Sequence, residues 1–111
     1  MSKQMTQLDT DWLPLAELYQ IPEQGCLFIL VNDDLLLVGR EGENVHCFEA
    51  KCPHLGYSLE LGQVNGDSIT CPFHKYRFSL KDGHCRNAIC DNLTRYEVKI
   101  ENQHAFVKFN R

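Results

Sequence analysis

Apolar residues in this chain come in short stretches of strand length: Leu27 to Val31, Leu35 to Arg40, Val45 to Ala50, Ser68 to Cys71, Arg77 to Leu80, Arg95 to Ile100 and Ala105 to Phe109. Each is rich in β-branched, aromatic or leucine side chains. Turn formers separate them: Asn32-Asp33-Asp34, Glu41-Gly42-Glu43-Asn44, Asn65-Gly66-Asp67, Lys81-Asp82-Gly83 and Glu101-Asn102-Gln103. Near the C-terminus the alternation is strict. Tyr96, Val98 and Ile100 are out of phase with Glu97, Lys99 and Glu101, and Ala105, Val107 and Phe109 with Lys108 and Asn110, which predicts a hairpin with one buried face. The whole pattern predicts an all-β fold, an antiparallel sandwich or small barrel. Only Leu15 to Tyr19 reads as a helical turn, because proline is tolerated at a helix start and Pro14 precedes it, while Ile21-Pro22 stops it. Such a turn would lie on the sheet as a lid.

A length of 111 residues, 43% of them hydrophobic, predicts one domain with a modest core. A net charge of −4 and a pI of 5.7 argue against nucleic acid and anionic membranes as partners, since both reward a basic face. The first twelve residues contain Lys3, Gln4, Asp9 and Asp11 and do not form the apolar centre of a secretion signal. The longest apolar runs, Cys26 to Val31 and Leu35 to Gly39, fall far short of the roughly 20 residues that span a bilayer. A cytoplasmic chain without an anchor is the expectation. There, cysteine serves metal binding or catalysis more often than disulfides. Cys26 and Cys47 lie inside strand-like runs and read as small buried hydrophobes. Cys85 and Cys90 read as free thiols, and His46, His84 and His104 as ordinary strand or surface histidines without a partner at ligand spacing.

The chemistry concentrates in two short loops, Cys52-Pro53-His54 and Cys71-Pro72-Phe73-His74, with sixteen residues between the first histidine and the second cysteine. Two thiolates and two imidazoles admit two readings. A single tetrahedral zinc could take all four; alternatively, a two-iron cluster could take both cysteines on one iron and both histidines on the other.

The double motif resembles the two signature loops of Rieske proteins. The likeness extends over nearly the whole chain, to the Trp12-Leu-Pro-Leu-Ala-Glu turn, the strands before Cys52, Arg77-Phe78 and the Asp82-Gly83 turn, which are similar to those of Rieske-type ferredoxins of bacterial oxygenase systems. The resemblance implies a Rieske-like β-sandwich, one domain over residues 1–111 with the cluster loops at about 50–78. It also implies a [2Fe-2S] cluster held by Cys52 and Cys71 on the inner iron and His54 and His74 on the outer one. Respiratory Rieske proteins carry an extra cysteine in each loop, bridged across the cluster; here those positions are Tyr57 and Phe73. Their serine and tyrosine donors to sulfur correspond to Tyr76 and Phe78. Phe78 has no hydroxyl, so the reduced state is less stabilised, and the potential is expected at the low end of about −150 to +300 mV. The family has glycine after the second histidine where this chain has Lys75, a misfit if that backbone needs φ > 0. Gly56 and Gly62 are expected to permit tight turns between the loops.

The function implied is that of a monomeric, non-catalytic electron carrier between a flavin-dependent or other NAD(P)H reductase and a terminal oxygenase. No flavin or nicotinamide fingerprint appears in the chain. The alternatives are a Rieske-like small subunit of an assimilatory nitrite reductase and a structural zinc module.

Overall fold

A computed structural model describes residues 12–53, 56–73 and 75–109. Among the described residues, nine strands form two antiparallel sheets. The larger contains β1 (Trp12–Glu17), β2 (Leu27–Val31), β3 (Asp34–Glu41), β4 (Asn44–Glu49), β8 (Arg95–Glu101) and β9 (His104–Lys108), in the order β1-β9-β8-β4-β3-β2. Its two outer strands approach one another, so the sheet curls into a nearly closed barrel. The smaller sheet is β5 (Gln63–Asn65), β6 (Ser68–Thr70) and β7 (Arg77–Ser79), in that order.

Short turns set the register. Asn32 and Asp33, with φ of 49° and 70°, make the two-residue connection of β2 to β3, and Asn102 and Gln103, at 52° and 66°, that of β8 to β9. Paired left-handed residues give the turn twist that matches the twist of the strands. The central strands are buried on both faces. In β3, Leu36 and Val38 point into the barrel with Cys47, Ala105 and Val107, whereas Leu37 points outward with Phe48 against the smaller sheet. That outer layer contains Ala50, Cys52, Leu59, Ile69, Cys71, Phe78, Leu80, Cys85 and Leu93. One strand pair therefore supports two cores, and the second one carries both loop cysteines.

The expected strands are all present, and the terminal hairpin buries Tyr96, Ala105 and Val107 as its alternation required. The helical turn at Leu15 to Tyr19 is a correction. Trp12–Glu17 is an edge strand paired with β9, and only Leu18–Gln20 forms a 3-10 turn, ended at Ile21. Pairing overrides the local signal because Pro14 lies on an edge, where a missing N–H is harmless, and the register shifts between Pro14 and Ala16. Lys99 and Lys108 hold Trp12 from β8 and β9, 4.9 and 5.6 Å from its ring. The strand β5 was not expected; all three of its residues are exposed, so it carries no apolar pattern.

His46 links the two layers. Its Nδ1 accepts a hydrogen bond from Arg95 Nη2 at 2.9 Å, and Arg95 also donates to the Lys81 carbonyl at 3.0 Å. The proton is thereby placed on Nε2, which is buried without a hydrogen-bond partner among the described residues. Burial, then the Arg95 charge, lowers the His46 pKa below its usual value. A histidine lowered in the folded state supports the fold fully above about pH 6.5, and that support is lost as pH falls from there through the depressed pKa. Urea midpoints measured from pH 8 to pH 5 should fall for the wild type and flatten over this window for His46→Gln.

Candidate metal centre

The two cysteine loops are the same turn built twice. In the first, the Cys52 N–H donates to the Tyr57 carbonyl at 2.8 Å and the Gly56 N–H donates back to the Cys52 carbonyl at 2.7 Å. In the second, the Cys71 N–H donates to the Tyr76 carbonyl at 2.8 Å and the Lys75 N–H to the Cys71 carbonyl at 3.0 Å. Each turn begins Cys-Pro and returns through a left-handed residue four positions on, Gly56 at φ 79° and Lys75 at φ 60°. The misfit read at Lys75 is real: a lysine occupies a conformation suited to glycine. Its exposed side chain leaves the ammonium in water.

Cys52 and Cys71 are fully buried and share the outer core with Phe78, which has no solvent exposure. His54 and His74 fall outside the described residues, as does Leu55. The donor set suits an iron–sulfur group on the described side: two buried sulfurs on equivalent turns, inside an apolar layer that keeps water away from them.

The loops meet at their tips. Tyr57 stacks on Phe73 with ring centroids 4.2 Å apart and planes at 29°, a contact worth about 0.5–1.5 kcal/mol beyond its buried area. These are the positions where the resemblance places a bridging disulfide in respiratory relatives. Behind the loops, Gly62 lies where a Cβ would meet the Thr70 carbonyl at 2.6 Å and that of Leu59 at 3.0 Å. Its φ of −78° is ordinary. Close approach, not a tight turn, is thus what requires glycine there, whereas Gly56 fulfils the turn expectation.

The remaining cysteines lie outside the two turns, and Cys26, Cys85 and Cys90 belong to or pack against the same outer core as Cys52 and Cys71. Burial pushes the Cys47 thiol up to about 12 and the Cys26 thiol up to about 11, so both stay protonated and act as apolar filler. Cys85 is buried, its neighbour Cys90 is half-buried, and burial followed by a hydrogen bond with Cys85 pushes Cys90 up to about 12. A cavity of about 300 Å³ lies elsewhere, lined by Arg40, His46, Asp67 and Lys81 among others. Its charges are already paired, Arg40 with Glu23, Lys81 with Glu41 and Asp67 with Arg86, and neither loop cysteine lines it.

Sequence comparison agrees with this geometry. Residues 11–97 match the family model of the Rieske [2Fe-2S] domain. The chain belongs to the Rieske [2Fe-2S] domain family. That membership settles the choice left open by four soft ligands in favour of the iron–sulfur cluster. A relative of similar size is the ferredoxin component of the naphthalene 1,2-dioxygenase system of Pseudomonas aeruginosa, 33% identical over 98 residues that cover 86% of this chain and 93% of that protein. The cholesterol 7-desaturase nvd of Hemicentrotus pulcherrimus is 34% identical over 77 residues, which cover 67% of this chain but only 16% of the desaturase. Among solved structures, a chain in the complex of reduced oxygenase and oxidized ferredoxin of carbazole 1,9a-dioxygenase superposes with a TM-score of 0.73. It is 27% identical, with 88% of this chain and 93% of that one covered.

Proposed function

We propose that this protein is a Rieske ferredoxin that carries single electrons from an NAD(P)H-dependent reductase to the terminal oxygenase of an aromatic-ring dioxygenase system. The observation that carries the reading is the match to a dioxygenase ferredoxin component along almost the full length of both chains. A carrier is favoured over an enzyme subunit because that relative is itself a ferredoxin component. The chain is read as one cytoplasmic domain acting as a monomer; no helix among the described residues is long and apolar enough to cross a membrane.

Cys52 and Cys71 are assigned as the ligands of one iron, and His54 and His74 as those of the other. When bound, the cluster supplies a site that gains and loses one electron. The protein's own residues do the rest. The paired turns fix the backbone at both cysteines, so little reorganisation accompanies the change of charge. Phe78 and Leu59 exclude water behind the thiolates. Tyr57 and Phe73, at 42% and 53% exposure, present an apolar tip that suits a brief encounter with a partner. Lacking a hydroxyl, Phe78 offers no hydrogen bond to sulfur, which keeps the potential at the low end of the Rieske range.

The dithionite-reduced protein should give an electron paramagnetic resonance spectrum with the low average g value of mixed Cys/His ligation. In a reconstituted assay, substrate turnover by the oxygenase should require this protein together with reductase and NAD(P)H. A pure, anaerobically prepared protein containing zinc and no labile sulfide would refute the proposal.

A further inference from the structure

Asn87 lies outside both cysteine loops and outside the strands, yet its side chain grips the second loop. Nδ2 donates to the Lys75 carbonyl at 2.8 Å, and Oδ1 accepts from the Arg77 N–H at 2.9 Å. The Cys85 thiol sulfur lies 3.9 Å from the same oxygen. A carbonyl and an N–H that flank one residue on a strand edge are the pair a neighbouring strand normally satisfies. Here that neighbour is only just present: Cys85 forms a bridge with Phe78, and the Arg86 N–H donates to the Arg77 carbonyl at 2.7 Å. The Asn87 amide then extends the ladder as a detached peptide unit beside Tyr76. Its orientation is fixed by its partners, since an amide N–H must donate and a carbonyl must accept.

Two other observations bear on what this grip does. Lys75 holds φ 60° without being glycine, a conformation that persists where its surroundings enforce it. Arg86, next to Asn87, makes a two-pronged ion pair with Asp67 at 3.1 and 3.2 Å, which anchors the gripping segment to the β5–β6 turn. The first loop has Gly56 at the equivalent position, and its stem is closed by backbone contacts, Leu59 N–H to the Ala50 carbonyl and the Lys51–Ser58 bridge. We propose that Asn87 is a positioning residue for the cluster: its amide holds Lys75 in the left-handed conformation and so fixes the turn that presents Cys71. The inference rests on the assignment of Cys71 as a ligand.

The test compares wild type, Asn87→Leu, Asn87→Asp, and Asn87→Leu combined with Lys75→Gly, all purified anaerobically. Cluster loss to a chelator is followed by visible absorption, and amide exchange is followed at residues 75–78 and, as an internal control, at 50–58. Losing both hydrogen bonds should speed cluster loss and exchange at 75–78 roughly tenfold while leaving 50–58 unchanged. Asn87→Asp keeps the acceptor for the Arg77 N–H but sets a second oxygen against the Lys75 carbonyl, so its cluster loss should be faster than that of the wild type. In the Lys75→Gly background the same replacement should cost under about threefold, because glycine needs no help to hold φ > 0. Wild-type rates in Asn87→Leu, an equal rise at 50–58, or no rescue by Lys75→Gly would each overturn the proposal. If the wild type itself lacked iron and sulfide, the ligand assignment would fall, and exchange at 75–78 would still decide whether Asn87 holds the turn.

Discussion

Replacing Cys71 with alanine is expected to abolish the cluster while leaving the β-sheet spectrum in place. Both backbone bonds that close its turn run through the Cys71 N–H and carbonyl, so they survive loss of the sulfur. The side chain itself is a small part of the outer core, and its removal should cost about 1 kcal/mol of packing. What disappears is one of the two sulfurs assigned to the cluster; Cys47 points into the barrel with the other core, and Cys85 shares the outer layer but lies outside both cysteine turns. Iron and labile sulfide in the anaerobically purified variant should fall to near background, and the visible absorption should vanish. Cys47→Ala and Cys26→Ala serve as controls and should retain full colour. A Cys71→Ala protein with wild-type iron and sulfide would remove this residue from the ligand set.

Gly62→Ala is the second large effect expected. The added methyl would sit 2.6 Å from the Thr70 carbonyl and 3.0 Å from that of Leu59, and both obstacles are backbone. Neither can rotate aside. Relief requires β5 to separate from β6 at the Gln63–Thr70 pair, and Thr70 is joined directly to Cys71. Overpacking of this kind costs roughly 1–3 kcal/mol, a large part of the margin of a small domain. Denaturant midpoints of the variant should drop accordingly, with the slope unchanged. Because the displaced strand leads into the second cysteine turn, faster cluster loss should accompany the drop. A variant with the wild-type midpoint would show that the two strands have room to move.

Much of this was legible in the sequence where a local pattern carries the cause. The alternation of Tyr96, Val98 and Ile100 made one hairpin certain, and the double Cys-Pro loops announced the metal centre. Even the backbone at Lys75 was readable, through comparison with a glycine-bearing family. The failures were non-local. Leu15 to Tyr19 looked helical because the strand that pairs with Trp12–Glu17, β9, lies far along the chain, and only that pairing makes Pro14 an edge residue. The strand β5 has no buried side chain and so no pattern at all. Asn87 was invisible for a related reason: its part depends on two backbone groups ten and twelve positions earlier. An asparagine in a polar loop gives no hint of such partners.

The stacked rings at the loop tips have a consequence for the surroundings in which the protein can work. A covalent bridge between two loops is a redox couple in its own right, and its closure depends on the thiol poise of its compartment. The Tyr57–Phe73 contact exchanges no electrons. Glutathione or dithiothreitol therefore has no bond to cut at the tip, and the clasp should hold equally well in a reducing cell and in an oxidised extract.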